Sequence, residues 1–529
     1  MPVPSLIRAL VIAGGLALLA SGARAAGCEG LARLSVPGAT ITSATPFAAG
    51  AAVPMDAFGI SALPTAKAFC RVQATLRPTP DSSIKTEVWL PLAAEWNGKL
   101  MASGNGGFGG SLGPPRLSMR PALRQGYATA ATDLGHTGDG ASGVDAGWAL
   151  GHPERIKDFG YRANHETAAF AKAVVAAYYG SAPKHAYFNG CSDGGREALV
   201  EVQRYPDDFD GVVAGAPANR WTHLMASMAW TWQSAHAKPE SFVPDAKLKV
   251  IEAAVLAQCD SLDGVKDGVI GDPRACRFDP VRVQCKAGDG PDCLTAGQVA
   301  AVRRIYQGPR TASGHQIFPG YPVGGEGVAG AWNLWITGEK AQHGNFARSF
   351  FRDLVYADPA WSFDHLDLAE AVADADRRMG PILNADSPDL SAFRRRGGKL
   401  IVFHGWADAA ITPYSTIEYF DAVRGRMGAQ QVDGFARLFV APGVSHCVGG
   451  PGANTFDMLA ALDAWVDHGQ APDRVIASKF INDIAALLDM PTGAALRTRP
   501  LCAYPKVARW TGKGSTDDAA NFECKAPRT

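Results

Sequence analysis

The stretch FNGCSDGGREAL, residues 188–199, places a serine between two glycines. Ser192 lies between Gly190 and Gly194 in a G-x-S-x-G pattern, which alone is common by chance in a glycine-rich chain. An apolar run, HAYFN, precedes it and a helix-like stretch, GREALVEVQ, follows it. A sharp turn between a strand and a helix lifts a serine hydroxyl out at the end of the strand. We therefore predict that Ser192 is a nucleophile; the simpler interpretation is a glycine-rich turn.

A serine nucleophile needs a base, and the base needs an acid that orients it. Asp408 follows the apolar run KLIVFHG, and His446 follows the run ARLFVAP, so both lie in loops after predicted strands. Their order along the chain is that of α/β-hydrolases, in which the acid and then the histidine follow the serine. His404 lies within its strand and His468 ends a helix, so both are expected to be structural. The sequence thus predicts Ser192, Asp408 and His446 as a catalytic triad.

The ten cysteines support this triad. An even number in a chain with an export signal suggests disulfides, and the lack of a C-x-x-C pair argues against zinc. Four plausible pairs are Cys28–Cys70, Cys259–Cys276, Cys285–Cys293 and Cys502–Cys524. The remaining Cys191 and Cys447 directly precede Ser192 and directly follow His446. If the serine touches the histidine, these cysteines come within disulfide range, so we expect a bridge; two buried thiols are the alternative.

An oxyanion hole needs two backbone amide donors. The first is expected from Asp193, directly after the predicted nucleophile. The second is expected from the glycine-rich segment SGNGGFGG, which follows an early apolar run and in which Gly106 and Gly107 are the best candidates. A flexible turn is the simpler interpretation of this segment.

These residues require a scaffold of alternating strands and helices. KTEVWLPL and FDGVVAGAPA have the pattern of strands, and NHETAAFAKAVVAAYYG that of a helix which stops at Gly180. The same alternation resumes at residue 397 and continues to the helix TFDMLAALDAWVDHG. It predicts an α/β sheet with parallel strands. Residues 218–390 break the pattern and contain six tryptophans and four cysteines, which indicates an insertion between two core strands.

The segment CDSLDGVKDGVIGD within this insertion carries three aspartates on one loop. Hard oxygen atoms at this density suit calcium, although the spacing is not that of an EF-hand. The predicted ligands are the side chains of Asp260, Asp263 and Asp267 and the backbone carbonyls of Val265 and Val269. The ion would be structural, because no histidine nearby could activate a water; a solvated acidic turn is the alternative.

The amino terminus predicts an exported protein. Arg8 precedes the apolar run ALVIAGGLALLA and small residues around Ala25, so we interpret residues 1–25 as a signal peptide. The alternative is a lipoprotein signal with Cys28 lipidated. Basic and acidic residues both number 51, which argues against nucleic-acid or membrane partners held by bulk charge. We expect a secreted or periplasmic protein without a membrane partner, and the oligomeric state is unknown.

The motifs GCSDGGREAL, HGWAD and SHC together resemble the tannase and feruloyl esterase family, which also includes hydrolases of mono(hydroxyethyl) terephthalate. The resemblance covers essentially the whole mature chain. It implies an α/β-hydrolase core of residues 26–217 and 391–529, with residues 218–390 as an inserted lid domain that carries the calcium loop. It also implies the triad named above and the five disulfides as paired above. Asp193 stands where members often carry Thr or Glu, a difference that should not matter to a backbone donor.

The resemblance implies a serine esterase that cleaves aromatic esters of the hydroxycinnamoyl or feruloyl type through an acyl-enzyme. Galloyl esters and mono(hydroxyethyl) terephthalate remain alternatives, because side chains of the lid would decide between them. Tryptophans of the insertion could wall the acid moiety, and Arg348 could meet a substrate carboxylate or phenol, although a structural role is simpler for Arg348. An acyltransferase and a non-catalytic binding protein on the same scaffold are the rivals from other classes.

Overall fold

The computed structural model describes residues 27–138, 143–363 and 366–527. The predicted signal peptide, residues 1–25, lies outside these ranges. The strands are β1 (Ala39–Phe47), β2 (Ala52–Ala57), β3 (Ile60–Pro64), β4 (Phe69–Leu76), β5 (Ile84–Pro91), β6 (Lys99–Ser103), β7 (Ala128–Thr132), β8 (His185–Cys191), β9 (Gly211–Gly215), β10 (Lys399–Gly405), β11 (Ala436–Ala441), β12 (Arg474–Lys479), β13 (Arg497–Cys502), β14 (Val507–Trp510) and β15 (Phe522–Lys525).

The α-helices are α1 (Gly113–Arg124), α2 (Pro153–Lys157), α3 (Ala163–Tyr179), α4 (Asp193–Arg204), α5 (Trp221–His236), α6 (Asp245–Cys259), α7 (Ala296–Gln307), α8 (Gln342–Ser349), α9 (Leu368–Arg378), α10 (Gly380–Leu383), α11 (Ser391–Arg395), α12 (Pro413–Met427), α13 (Ala429–Asp433), α14 (Met458–His468) and α15 (Asp483–Leu487). The helix predicted to stop at Gly180 is α3, and Gly180 has the positive φ of 77° that favours glycine after a helix.

Nine strands form one sheet in the order β1-β4-β5-β7-β6-β8-β9-β10-β11. In the part of the sheet that runs from β7 through β6 to β11, the strands are parallel to one another, which confirms the prediction for this part. The prediction is wrong for the amino-terminal edge, where β1, β4 and β5 pair antiparallel and β5 meets β7 antiparallel. A short loop joins β4 to β5, and a short loop permits antiparallel pairing, whereas parallel neighbours need a long crossover.

The chain between β9 and β10 carries α5 to α11, and its described residues add no strand to the sheet. Phe346 and Phe350 from this segment belong to the same apolar core as the sheet, which ties part of the insertion to the scaffold. Val255 and Trp332 belong to a separate, smaller core that lies almost wholly within the insertion. The helical segment coincides with the predicted insertion; a separate domain with the bounds 218–390 stays a prediction.

Five disulfides pair all ten cysteines, in the pairs expected from the sequence. They are Cys28–Cys70, Cys191–Cys447, Cys259–Cys276, Cys285–Cys293 and Cys502–Cys524. The two carboxyl-terminal hairpins, β12–β13 and β14–β15, are not predicted from the sequence patterns, and one disulfide joins them. In the described ranges, no helix combines the length and apolar character needed to cross a membrane.

Candidate active site

Ser192 occupies the turn between β8 and α4 in a backbone conformation that few residues adopt. Its φ is 68° and its ψ is −122°. The neighbouring backbone comes very close, since a Cβ on Gly104 would lie 2.7 Å from the Cα of Gly194. The amide of Ser192 donates to the carbonyl of Gly215 at 3.0 Å, which fixes the turn to the end of β9. Strain of this kind, held by close packing, projects the hydroxyl beyond the strand end.

Hydrogen bonds connect the three residues predicted as a triad. His446 Nε2 lies 2.8 Å from Ser192 Oγ, and His446 Nδ1 lies 2.8 Å from Asp408 Oδ2. Ser192 follows β8, Asp408 follows β10 and His446 follows β11, so all three lie at the carboxyl ends of parallel strands. The structure therefore brings together residues that are as much as 254 positions apart in the sequence.

The carboxyl group of Asp408 is fully buried and has a complete set of donors. Its Oδ1 accepts the amides of Ala410 at 2.8 Å and Ile411 at 2.9 Å. Burial would raise the pKa of Asp408, but the charges and hydrogen bonds of His446 and His404 outweigh it and hold this pKa below its ordinary value. The carboxyl group thus stays ionised and stabilises a positive charge on His446.

His404 is the functional neighbour that the sequence interpretation underestimates. It lies on β10 as predicted and is buried, but its Nε2 is 3.1 Å from Asp408 Oδ2 and 2.9 Å from the carbonyl of Ile411. Its Nδ1 is 2.8 Å from Thr416 Oγ1. The spacing of four residues between His404 and Asp408 in the motif HGWAD is the sequence feature that could have indicated this contact. His468 lies at the end of α14, as predicted, and its side chain is exposed.

A disulfide joins the two loops that carry the serine and the histidine. The Cα atoms of Cys191 and Cys447 are 6.0 Å apart, although the residues are separated by 256 positions. Because one cysteine precedes Ser192 and the other follows His446, the bridge restrains the distance between the hydroxyl and the imidazole.

The glycine-rich segment packs against the serine turn, since the Gly194 amide donates to the Asn105 carbonyl at 3.0 Å. The Gly106 amide donates to Asn105 Oδ1 at 2.9 Å and is therefore already engaged. In the part of the chain that the structure describes, the amides of Gly107 and Asp193 have no acceptor. Of the two glycines singled out from the sequence, Gly107 is thus the better candidate for an oxyanion donor.

Aromatic side chains of the insertion stand beside the histidine. The Trp335 ring lies 5.3 Å from the imidazole of His446 at an interplanar angle of 71°. Phe346 stacks on Trp335 with the ring centroids 6.3 Å apart. The sequence predicted aromatic walls from the insertion but did not single out Trp335, because an isolated tryptophan carries no sign of its position.

Arg348 lies on α8 and packs on aromatic rings. Its guanidinium carbon is 5.1 Å from the ring centroid of Phe363 and 5.7 Å from that of Trp232. Over the described ranges, no carboxylate forms an ion pair with this arginine. The packing on these rings accounts for its position in the fold.

The acidic loop follows α6, and the disulfide Cys259–Cys276 closes it. Asp260 accepts the amides of Asp267 and Gly268, and Asp263 accepts the amide of Val265. Burial, with Asp267 and Asp260 nearby, raises the pKa of Asp263 to about 6.

The side chains of Arg497 and Arg499 already pair with Asp267, and no three His, Cys, Asp or Glu side chains of the described chain form a metal site by themselves. The loop therefore offers hard oxygen atoms but needs backbone carbonyls to complete a shell.

The parallel sheet, with a serine turn and two loops converging at its carboxyl edge, defines an α/β-hydrolase fold. The structure is similar to the crystal structure of feruloyl esterase B from Aspergillus oryzae, with a TM-score of 0.83, 30% sequence identity and coverage of 94% of this chain and 99% of that chain. The family model of tannase and feruloyl esterase matches residues 70–525. The chain belongs to the tannase and feruloyl esterase family, and it is a carboxylic ester hydrolase.

Two relatives illustrate the breadth of this family. An uncharacterized esterase of Xanthomonas campestris pv. campestris is 40% identical, over 98% of this chain and 94% of the relative. The mono(2-hydroxyethyl) terephthalate hydrolase of Piscinibacter sakaiensis is 36% identical, over 83% of this chain and 81% of the relative.

Proposed function

We propose that this protein is an exported serine esterase that hydrolyses aromatic carboxylic esters of the hydroxycinnamoyl or feruloyl type. The observation that carries the proposal is the hydrogen-bonded chain from Ser192 Oγ through His446 to Asp408, with 2.8 Å at each step. Membership of the family gives the reaction class, and this chain supplies a nucleophile, a base and an orienting acid in reach of one another.

In the proposed acylation step, Ser192 Oγ attacks the ester carbonyl while His446 Nε2 takes its proton. Asp408 holds the other imidazole nitrogen and stabilises the imidazolium that forms. The amides of Asp193 and Gly107 donate to the developing oxyanion. When the tetrahedral intermediate collapses, the imidazolium gives its proton to the departing alkoxide. The alcohol is released, and an aromatic acyl-enzyme remains on Ser192.

Deacylation repeats these roles with water as the nucleophile. His446 takes a proton from the water, the hydroxide adds to the acyl carbon, and the Ser192 oxygen leaves and recovers the proton. The free aromatic acid is the second product. An acyltransferase would instead pass the acyl group to an alcohol, so product analysis with added ethanol separates hydrolysis, which gives the free acid, from transfer, which gives the ethyl ester.

An aromatic acid is the proposed acyl group because flat apolar side chains stand at the histidine. Trp335 lies next to the imidazole of His446, and Phe346 stacks on Trp335. Such a wall favours a planar ring over a flexible chain. The similarity to feruloyl esterase B supports the hydroxycinnamoyl class among aromatic acids.

The second candidate substrate is mono(hydroxyethyl) terephthalate, whose acid part carries a free carboxylate. Arg348 favours it, since its guanidinium group has aromatic neighbours but, within the described chain, no acidic partner. The relative from Piscinibacter sakaiensis supports the same class. Galloyl esters, the third possibility, have no such observation in their favour.

The deciding experiment measures product release by purified mature protein and by Ser192→Ala. The panel is methyl ferulate, methyl gallate and mono(hydroxyethyl) terephthalate at matched concentrations. We expect methyl ferulate to give the highest kcat/KM and Ser192→Ala to release no acid. Acid release by Ser192→Ala at the wild-type rate would contradict the serine mechanism, and a clear preference for another ester would contradict the substrate. If no ester is cleaved, the non-catalytic rival gains support.

We also propose that the acidic loop binds a structural calcium ion. Asp260, Asp263 and Asp267, with the carbonyls of Val265 and Val269, would hold it, and neutralising clustered carboxylates would stabilise the fold. Calcium added to chelator-treated protein should raise the Tm of the wild type and leave that of Asp263→Asn unchanged. An equal rise in both proteins, or none in the wild type, contradicts the proposal.

Export is proposed because five disulfides are typical of proteins that fold in oxidising compartments. Amino-terminal sequencing of the protein from the periplasm or medium should find the chain beginning after Ala25. A chain that begins at Met1, or protein confined to the cytoplasm, would contradict this.

A further inference from the structure

A buried carboxyl group lies directly behind the serine turn and is not used by the mechanism above. Glu197 stands on α4, five residues after Ser192, and is 2% exposed. Both of its carboxyl oxygens are 3.2 Å from the backbone nitrogen of Asn105, and Oε2 is 2.7 Å from Asn164 Nδ2. The helix that follows the nucleophile thus holds the backbone of the glycine-rich segment at Asn105.

Asn105 sets the conformation of that segment. Its Nδ2 donates to the carbonyls of Ser111 at 2.8 Å and Thr132 at 3.1 Å, and its Oδ1 accepts the Gly106 amide. Since every polar group of Asn105 is engaged, its position determines where the next residues point. Gly107, the candidate oxyanion donor, follows two residues later.

Within the described residues, no cation hydrogen-bonds Glu197. The neighbouring guanidinium group of Arg196 bonds instead to Asp193 Oδ1 at 2.5 Å and to the carbonyls of Gly160 and Phe159. Burial, and then the charge of Asp193, raise the pKa of Glu197 well above its ordinary value. This carboxyl group therefore holds a proton more tightly than an ordinary carboxyl group does.

A proton on Glu197 has an acceptor in the side chain of Asp193, since a hydrogen bond between the two side chains also raises the pKa of Glu197. Asp193 Oδ2 is buried, and among the described residues no ordinary donor serves it. A protonated carboxyl group can accept hydrogen bonds on one oxygen and donate from the other. Glu197 can thus bond to the segments that carry both candidate oxyanion donors, Gly107 on one side and Asp193 on the other.

We propose that Glu197 is a positioning residue of the oxyanion hole, which joins the Asn105 end of the glycine-rich segment to Asp193 behind the nucleophile. It acts as a neutral hydrogen-bonding group and touches neither substrate nor reacting atoms. The inference rests on the proposed serine-esterase function and names a residue on which the alignment of its oxyanion donors depends.

The test compares kcat and KM of Glu197→Gln and Glu197→Ala with a soluble aromatic ester. The amide of Gln accepts and donates like the neutral acid, so its kcat should stay within about twofold of the wild type. Ala removes both bonds, and kcat should fall roughly 30- to 100-fold at unchanged KM, less than the loss of a donor itself. If Glu197→Ala does not fold, Glu197→Asp, which withdraws the carboxyl group by one methylene, should give the same loss.

The matched control is Glu201, one turn further along α4. It is equally buried and bonds to Asp208, and no hydrogen bond of the described chain joins its carboxyl group to the glycine-rich segment. Glu201→Ala should change Tm, while its kcat should remain within about twofold of the wild type. A structural effect of removing a buried carboxyl group would appear in both alanine variants, whereas an oxyanion effect appears only at residue 197.

Several results of this comparison would overturn the proposed role of Glu197. Wild-type kcat in Glu197→Ala, or equal losses in the two alanine variants, overturns the positioning role. A loss of kcat in Glu197→Gln as large as that in Glu197→Ala would contradict the claim that Glu197 acts in its neutral form and would indicate an ionised carboxylate. Wild type and Ser192→Ala are run in the same assay. If the wild type is inactive, or Ser192→Ala is active, the proposed function fails and the inference falls with it.

Discussion

At the scale of single residues, the site depends on charges that burial would ordinarily suppress. Asp408 is fully buried yet keeps its charge, because two amides and two imidazoles surround its carboxyl group. The role of such an acid is to fix the tautomer and orientation of the base rather than to take a proton.

Asp408→Asn tests this role. The amide cannot stabilise the imidazolium, so we expect kcat to fall by at least ~10³-fold while KM changes little. Steady-state kinetics with circular dichroism would measure both the activity and the fold. His468→Asn, a change on an exposed side chain, is the control and should keep wild-type kcat. Substantial activity in Asp408→Asn would assign the orienting acid elsewhere.

Asp133 gives a prediction about stability and pH. Burial raises its pKa to about 7, against an ordinary value of 3.8, although the amides of Lys85 and Gly135 bond to it. The folded state therefore binds this proton more tightly than the unfolded chain does. The contribution of Asp133 to the free energy of unfolding therefore declines as the pH rises from about 4 to about 7, and it stays low above that pH.

Asp133→Asn keeps the acceptor oxygen and removes the charge. We expect a gain in Tm at pH 8 that becomes small at pH 5, as measured by thermal unfolding in both buffers. The exposed Asp473→Asn serves as the control and should show no such trend. A gain of the same size at both pH values would refute the assignment.

At the scale of elements, the active site is made by two turns that press against each other. The glycine-rich segment after β6 meets the turn before α4, and each requires glycine where backbones approach. Two adjacent glycines of this segment nevertheless differ. A Cβ on Gly107, which has φ of 59°, would lie 2.5 Å from the carbonyl oxygen of Gly143, whereas a Cβ on Gly106 meets nothing within 4 Å.

Gly107→Ala should therefore displace a candidate oxyanion donor, and Gly106→Ala should not. We expect kcat of Gly107→Ala to fall about 10²-fold, in line with the loss of one oxyanion donor, and that of Gly106→Ala to change less than about threefold. Comparison of kcat at saturating ester measures this. If the two variants lose activity equally, the assignment of Gly107 over Gly106 is wrong.

At the scale of the whole molecule, one disulfide connects distant parts of the chain at the site. Cys191–Cys447 closes a sequence separation of 256 residues, whereas Cys285–Cys293 closes only 8. The entropy that a crosslink removes from the unfolded chain grows with the logarithm of the loop length.

Replacing both cysteines of each pair by serine compares the two bridges. On the chain-entropy model, loss of Cys191–Cys447 should cost about 3 kcal/mol more than loss of Cys285–Cys293. Only the first variant should also lose kcat, because its bridge restrains the serine and the histidine. Denaturant unfolding and ester kinetics give the two readouts. Equal destabilisation with unchanged kcat in both would mean that the bridge does not support the site.

The residues that were predictable share a local signature. Ser192 lies in a turn that requires its neighbouring glycines. Cys191 and Cys447 are the two cysteines that remain when the other eight are paired with cysteines close in sequence. His404 and Trp335 were not recognised as parts of the site. A buried histidine and a tryptophan have the same appearance in sequence wherever they pack, so their contacts with Asp408 and His446 required coordinates.

The sequence by itself predicted the three candidate catalytic residues, plausible cysteine pairs and the alternation of strands and helices, because each follows from residue types at short range or in a fixed order. The reaction class came from the resemblance of its motifs to the tannase and feruloyl esterase family. Tertiary structure alone decided the antiparallel edge of the sheet, the choice of Gly107 over Gly106, and the contacts of His404 and Glu197. These depend on which atoms of distant segments come within a few ångströms of each other. Such proximity is set by the packing of the whole chain and has no local pattern.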